Sequence, residues 1–454
     1  MVFAMDRVAK YRNLISETRF PNIRLFTAPM VTSVVPILDS AGMWSDCNAE
    51  TAGQCSAVAF FFAKSLNEQL EVPIGIIVSA WGGKPIEAFT SRSALKTLED
   101  TSMLVEASEI ADRHYEPVTA KMKYEKELAR WRSRFEGQPS APRPPDPPQR
   151  PLERANGPGV LFNSMINPFV GYSIQGVIWY QGEANAKTGE TPYDLTLPLL
   201  IQDWRDRWQH QLSFYFVQLA NFREPVSLPG SEDPWPLLQD RMRRVLDKVP
   251  GTGMAVTNDI GEAADLHPAN KQDVGERLAL WALAQNYGFD IEYSGPLYRT
   301  SIITNDSIRI TFDHTGSGLR TRDGGKPSHF ELAGSNKVWH WANAEIMDKH
   351  TVEVRSKAVP APVAVRYAWA ANPASANLVN SKGLPTSVFR TDDWLGEGDE
   401  AISIAARKLS RALSDEISKL ESDKVSLRRG GREYREIEQK QMKLRYRLRA
   451  LRNN

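Results

Sequence analysis

The chain has 454 residues, of which 41% are apolar, with a formal charge of +1 and two cysteines. That length and apolar share suit two or three packed domains and exclude disorder as the dominant state. The near-zero charge argues against nucleic acid as a partner. No uncharged apolar run approaches the roughly eighteen residues of a membrane span, and Cys47 and Cys55 are too few for a disulfide framework or a metal-ligand pattern.

The opening "MVFAMDRVAKYRN" lacks the long apolar core of a signal peptide, so the sequence carries no visible address and its location is left unassigned. From about Ile23 to Gly288, apolar runs alternate with helical patterns. The segments "PIGIIVSA", "IQGVIWY", "SFYFVQLA" and "GMAVTND" predict short strands. Leu197, Ile201, Trp204 and Trp208 predict one face of a helix, as do Leu238, Met242, Val245 and Val249, and again Val274, Leu278 and Trp281. Strands separated by such helices imply an α/β fold whose parallel sheet is covered on both faces.

One insertion interrupts this domain of residues 1–295. Leu104 to Phe135 predict helix, and the proline-rich "EGQPSAPRPPDPPQRPLERANGPG" predicts an extended return, so that residues 104–158 form a solvated excursion. After Gly295 the period changes to two. Ile308, Ile310 and Phe312 alternate in "DSIRITFDH", and "TVEVRS" and "PVAVRYAWA" behave alike, which predicts a small antiparallel β domain over residues 296–394. Residues 395–454 form a basic tail. Its last 54 residues hold fifteen Lys and Arg against seven Asp and Glu, a net +8 against +1 for the whole chain. Ile402, Ala406, Leu409, Leu413, Glu416 and Leu420 space as a heptad-like seam. Tyr434, Ile437, Gln441, Leu444, Leu448 and Leu451 resume it after Gly430 and Gly431. Two helices follow, which either fold back as a hairpin or self-associate with another subunit through residues 402–452.

Loops at the carboxyl ends of parallel strands are where α/β sheets bind ligands. Three such loops carry chemistry. In "SAWGGKPIEAF", Gly82 and Gly83 bring backbone amides close to an oxyanion. In "YQGEANA", Gln181 and Asn185 add side-chain amide donors, and Glu183 is better suited to orient neighbours than to attack. In "NDIGEAADLHP", His267 has Asp265, Glu262 and Asp259 as candidate orienting carboxylates, the pattern of a general base with its acid. Trp81 and Tyr180 are large aromatics at strand ends. Base, acid and oxyanion donors describe a serine hydrolase without its serine. Ser56 precedes a helical pattern of Val58, Phe61, Phe62 and Leu66 and is better read as an N-cap, and Ser79 and Ser164 have no local signature.

The motifs "VPIGIIVSAWGGKPIEAF", "LFNSMINPFVGYSIQGVIWYQGEAN", "DWRDRW", "FYFVQLANF" and "DLHPANKQDVGERLALWAL" resemble, in order and spacing, those of the sialate O-acetylesterases, carbohydrate esterases of the SGNH hydrolase superfamily. The resemblance runs from Met1 to about Trp394. It implies a flavodoxin-like α/β sandwich and hydrolysis of O-acetyl esters on sialic acid or a related sugar, without metal or organic cofactor. In that family a Gly-Gln-Ser-Asn-Met motif carries the nucleophile ahead of a segment like "FPNIRLFTAP", and Met1 looks like its last residue. The resemblance therefore places the serine, with the family's first sheet strand, upstream of residue 1, predicts that the chain as given is inactive, and implies export once the upstream part is included. The superfamily commonly spaces its acid three residues before the histidine. Asp265 stands two before His267, which keeps Asp259 as the alternative acid. Acetylated plant polysaccharide is a second substrate class, and a non-catalytic glycan-binding or scaffold protein is the contrasting reading.

Overall fold

The computed structural model describes residues 3–8, 20–48, 50–188, 192–394, 404–427 and 430–453. It divides into two compact units. One comprises residues 1–30, 39–86 and 169–400, the other residues 31–38, 87–168 and 401–454. In chain order the elements begin with β1 (Phe20–Thr27), β2 (Trp44–Cys47), α1 (Ala57–Leu70) and β3 (Ile74–Val78), followed by α2 (Arg92–Leu95), α3 (Glu99–Arg113) and α4 (Pro117–Phe135). Then come β4 (Gly176–Trp179), α5 (Glu183–Thr188), α6 (Tyr193–Trp208), β5 (Ser213–Val217), α7 (Pro234–Lys248), β6 (Thr252–Ala255) and α8 (Gln272–Tyr287).

In the first unit β1 pairs antiparallel with β2 and parallel with β3, Ile23 opposite Ile74 and Thr27 opposite Val78. The strands β4, β5 and β6 pair in parallel, with Trp179 opposite Phe216 and Val217 opposite Ala255. The continuous apolar run of β5 follows from burial on both faces: Phe214, Tyr215, Phe216 and Val217 are all buried. On α6, Leu197, Leu200 and Ile201 are fully buried, and Trp204 packs edge-on against Trp179 and Phe214. Asp233 starts α7 by accepting the Trp235 N–H at 2.9 Å, ahead of Pro234 in the first turn.

The parallel sheet is divided. β3 pairs only with β1 and β4 only with β5, leaving two three-stranded pieces among the described residues. On the strands with an unpaired edge the apolar residues Ile76, Ile77, Val78, Val177 and Ile178 are only half-buried, unlike those of β5. Helices α1 and α8 pack directly on each other. Gly275 on α8 lies so close to α1 that a Cβ would stand 2.6 Å from Phe61 Cβ and 2.8 Å from the Val58 carbonyl oxygen and the Phe62 nitrogen.

The chain then enters an all-β region with β7 (Leu297–Thr304), β8 (Ser307–Asp313), β9 (Arg320–Thr321), β10 (Phe330–Ala333), β11 (Trp339–Ile346), β12 (Thr351–Arg355), β13 (Ala364–Tyr367), β14 (Leu378–Val379) and β15 (Phe389–Arg390). Seven of these form an antiparallel sheet in the order β15-β13-β10-β11-β12-β8-β7. The period-two pattern turns Ile308, Ile310 and Phe312 inward onto Val352, Val354, Val365, Tyr367 and Phe389. Two side-chain amides fasten this region to the α/β part: Gln218 Nε2 donates to Ser387 Oγ at 2.8 Å, and Asn258 Nδ2 to the Thr386 carbonyl at 3.0 Å.

The second unit is helical and ends with α9 (Ile404–Val425) and α10 (Arg432–Asn453). Its insertion helices begin at Glu99, five residues before the predicted start, because Thr101 is already buried and hydrogen-bonded to the Leu95 carbonyl. The tail folds back as a hairpin, and its seam is filled by its own chain: Leu409 and Leu413 pack on Ile110 of α3, with Leu444, Leu448 and Leu451 of α10 alongside. The insertion and the tail, read as separate appendages, are thus one body. The buried Glu416 of the seam lies 3.0 Å from Lys440 and 3.9 Å from Arg113. Ile402 lies outside the described residues. The proline-rich return runs back along α4, where Trp131 Nε1 donates to the Pro142 carbonyl at 2.8 Å. Cys47 and Cys55 are both unbridged and buried, and burial pushes their thiols up to about 11 and about 12.

The α1–α8 contact sets a test. Ala at position 275 gains about 1 kcal/mol of helix propensity, but its Cβ must displace backbone of α1. Gly275→Ala is therefore expected to lower stability by about 1–3 kcal/mol in denaturant titration; a stability gain would mean that the helices separate freely.

Candidate active site

The first loop leaves β3 at Val78 and turns at Gly83, whose φ of +71° lies in the left-handed region that favours glycine. Around both Gly82 and Gly83 nothing stands within 4 Å of the place a Cβ would occupy. Trp81 is half-buried, and the Lys84 ammonium lies over its ring, 5.4 Å from the centroid.

The second loop is built on Tyr193 of α6. Its hydroxyl accepts from Trp179 Nε1 at 3.0 Å and lies 2.8 Å from Gln181 Oε1. With its carbonyl oxygen so held, the Gln181 amide donates to the Lys84 carbonyl at 3.1 Å and to Asn185 Oδ1 at 2.8 Å. Asn185 Oδ1 also accepts the Ile86 N–H at 3.0 Å. The first two loops are thereby joined, and both Gln181 amide hydrogens are committed to the join. Asn185 is 2% exposed and presents its Oδ1 to these donors, which turns its Nδ2 the other way. Glu183 opens α5, and its Oε1 is buried without a hydrogen-bond partner among the described residues. Burial, and then the Glu183 charge, pushes the Tyr180 hydroxyl far above its ordinary range.

The third loop follows β6. Asn221 Oδ1 accepts the Gly261 N–H at 2.6 Å, and Glu262 Oε1 accepts the Ala269 N–H at 2.7 Å. Between these anchors, Asp265 Oδ1 accepts the backbone N–H of His267 at 2.7 Å and stands 3.7 Å from its Nδ1. Both side chains are about half-exposed, at 52% and 56%. Asp259 is engaged otherwise: Arg277 grips its two oxygens at 2.6 and 2.9 Å, and Arg322 approaches to 3.6 Å.

Lys271, which the sequence pattern did not single out, links the third loop to the second. It precedes α8, is 0% exposed, and holds its ammonium 5.3 Å from the Tyr180 ring centroid and 5.0 Å from that of Phe3. Its one sequence signal is its place four residues after His267 in "HPANK". Among the serines, Ser56 sits at the N-cap position of α1 but makes no side-chain capping bond, and a backbone bridge ties it to Ala4. Ser164 lies 2.6 Å from the Val31 carbonyl oxygen and 3.0 Å from that of Val160. Among the described residues no cluster of three His, Cys, Asp or Glu is placed to hold a metal. The three loops supply an imidazole facing a carboxylate, a glycine turn and an oriented amide, parts that acyl transfer from an ester uses alongside a nucleophile.

Comparison with known proteins points the same way. Residues 155–283 match the family described as carbohydrate esterase, sialic acid-specific acetylesterase. The chain is 28% identical to the sialate O-acetylesterase of Mus musculus over 390 residues, 79% of this chain and 68% of that protein. With the sialate O-acetylesterase of Homo sapiens it shares 28% identity over 63% of this chain and 51% of that one, so the chain spans about half to two thirds of these relatives. A crystal structure of a carbohydrate acetylesterase from Xanthomonas citri superposes with a TM-score of 0.71 at 34% identity, covering 87% of this chain and 78% of the other. With an α/β part, a separate antiparallel sheet and motifs that align across most of its length, the chain belongs to the sialate O-acetylesterase family of carbohydrate acetylesterases, which are carboxylic ester hydrolases.

Proposed function

We propose that this protein hydrolyses O-acetyl esters of sialic acid or a related sugar through a serine acyl-enzyme. The observation that carries the reading is the pair of His267 and Asp265 on the loop after β6, with Nδ1 turned to the carboxylate at 3.7 Å. That orientation leaves Nε2 as the nitrogen that serves a nucleophile. Asp265 holds the imidazole and stabilises its charged form, and the 3.7 Å separation closes to a hydrogen bond as the site fills. Asp259 is the weaker candidate, since Arg277 already occupies both of its oxygens.

In the first step the serine Oγ attacks the acetyl carbonyl and His267 Nε2 takes its proton. The oxyanion is met by a Gly82 or Gly83 amide and by Asn185 Nδ2, while Gln181 acts by orienting Asn185. Collapse expels the sugar hydroxyl, which receives the proton from His267. Water then attacks the acyl-enzyme by the same route and acetate leaves. Trp81, Tyr180 and Glu183 border the place of the sugar.

The serine is proposed to lie on a strand outside residues 1–454, seated between β3 and β4. Three observations support this. Among the described residues both strands have an unpaired edge, their apolar residues other than Trp179 are only half-buried, and the loops that follow them are hydrogen-bonded to each other. A sheet edge of that composition is normally covered. The 454-residue polypeptide alone is then expected to be inactive.

In protein carrying that strand, His267→Ala is expected to abolish acetate release from O-acetylated sialic acid while far-UV circular dichroism stays unchanged; near-normal turnover would remove His267 from the mechanism. Asn185→Ala is expected to lower kcat by about 10²–10³ with little change in KM, which a loss confined to KM would contradict. Faster release from acetylated xylan than from acetylated sialic acid would move the substrate to plant polysaccharide.

A further inference from the structure

Lys271, at the end of the third loop, is a buried charge that the esterase chemistry above does not use. It is 0% exposed, yet its ammonium makes no hydrogen bond among the described residues. A buried, unpaired charge is expensive, and a methionine of similar length would fill the same space without that cost. What holds the charge is a set of groups from three separate segments. The rings of Phe3 and Tyr180 face it at 5.0 and 5.3 Å, the Glu183 carboxylate at the start of α5 attracts it most, and Asp265 and Glu262 of its own loop attract it less. Glu183 Oε1 is itself buried without a hydrogen-bond partner among the described residues. His267 lies four residues before Lys271, and Asn185 lies two residues after Glu183. The base and the oxyanion donor therefore stand on segments that meet through this cation.

We propose that Lys271 is a positioning residue for the ester hydrolysis: its ammonium, sealed between Phe3 and Tyr180 and drawn to Glu183, registers the segment carrying His267 against the helix carrying Asn185. The proposal rests on the esterase reading for its purpose, but the registration is a physical property that can be read without turnover. Burial lowers Lys271 from 10.5 to about 8, against the pull of Glu183, Asp265 and Glu262. The folded protein thus gives up this proton in a range where the unfolded chain keeps it. The stability penalty is fully present below about pH 8 and is relieved as the pH climbs towards the unfolded value of 10.5. The positioning charge has the opposite course and is lost as the pH rises through about 8.

The test compares the full chain with Lys271→Met, Lys271→Arg and Glu183→Gln. Lys271→Met is expected to melt at or above the unaltered protein at pH 7, with the difference shrinking towards pH 10, and to shift the ring resonances of His267 while those of His340 and His350 in the β region stay in place. Lys271→Arg keeps the charge and is expected to shift the His267 resonances less. Glu183→Gln removes the main attraction and is expected to lower the Lys271 midpoint, followed by the ¹³Cε signal of labelled lysine. In protein that turns over, Lys271→Met is expected to reduce kcat at least tenfold with KM within twofold, and a fall in activity above about pH 8 is expected to be missing from Lys271→Arg. His267 resonances unmoved by Lys271→Met would overturn the proposal. So would a lower melting point in Lys271→Met and Lys271→Arg alike at every pH, which would mark the residue as packing alone. If the protein with its serine strand releases no acetate, the esterase reading fails by itself, and the resonances still decide whether Lys271 registers the loop.

Discussion

The site depends on a single side-chain oxygen. Asn185 Oδ1 receives the Ile86 N–H from the loop after β3 and the Gln181 amide from the loop after β4. Gln181 is in turn held by Tyr193, which also receives Trp179. Each such bond is worth only about 1 kcal/mol net, but a buried polar group left unmatched costs about 1–3 kcal/mol. The set is therefore cooperative: loosening one member strands the others. Its product is orientation, because an asparagine whose oxygen is fixed has a fixed Nδ2, and a preorganised donor is what an oxyanion requires.

Around this join the architecture is asymmetric. The face made by α1 and α8 is packed to the limit of atomic contact at Gly275, whereas the edges of β3 and β4 have no strand partner among the described residues. Tight helix packing and open strand edges in one unit fit a sheet in which a strand position lies between β3 and β4. The third loop is different in kind. His267 and Asp265 are about half-exposed and held by local backbone bonds, so their placement relies on what lies at the two ends of the loop. One end is the Asn221–Gly261 bond, and the other is Lys271.

Much of this was legible in the sequence because period and burial coincide. The strands β4, β5 and β6 announce themselves as short apolar runs, and α6, α7 and α8 as helical faces around Leu197, Leu238 and Val274. The three loops were legible because glycine, amide, histidine and carboxylate residues cluster just after those runs. Other features were not. A charged residue spaced like Lys271 is usually solvated, and only the Phe3 and Tyr180 rings reveal that it is buried. Periodicity shows that the tail has an apolar seam but not what fills it; Ile110, from a helix three hundred residues earlier, does so. Nor does composition distinguish a strand with two neighbours from one with a single neighbour, so the interruption between β3 and β4 was foreshadowed only by the family resemblance and not by the strands themselves.

The central claim is a serine acyl-enzyme served by His267, with the serine on a strand beside β3 and β4. The measurement that tests it most directly is fluorophosphonate labelling of the natively produced protein, followed by peptide mapping by mass spectrometry. One adduct is expected, on a serine in a peptide outside residues 1–454, together with its disappearance in His267→Ala. An adduct on a serine within the 454 residues, such as Ser56 or Ser79, would contradict it, as would acetate release from a protein that takes up no label.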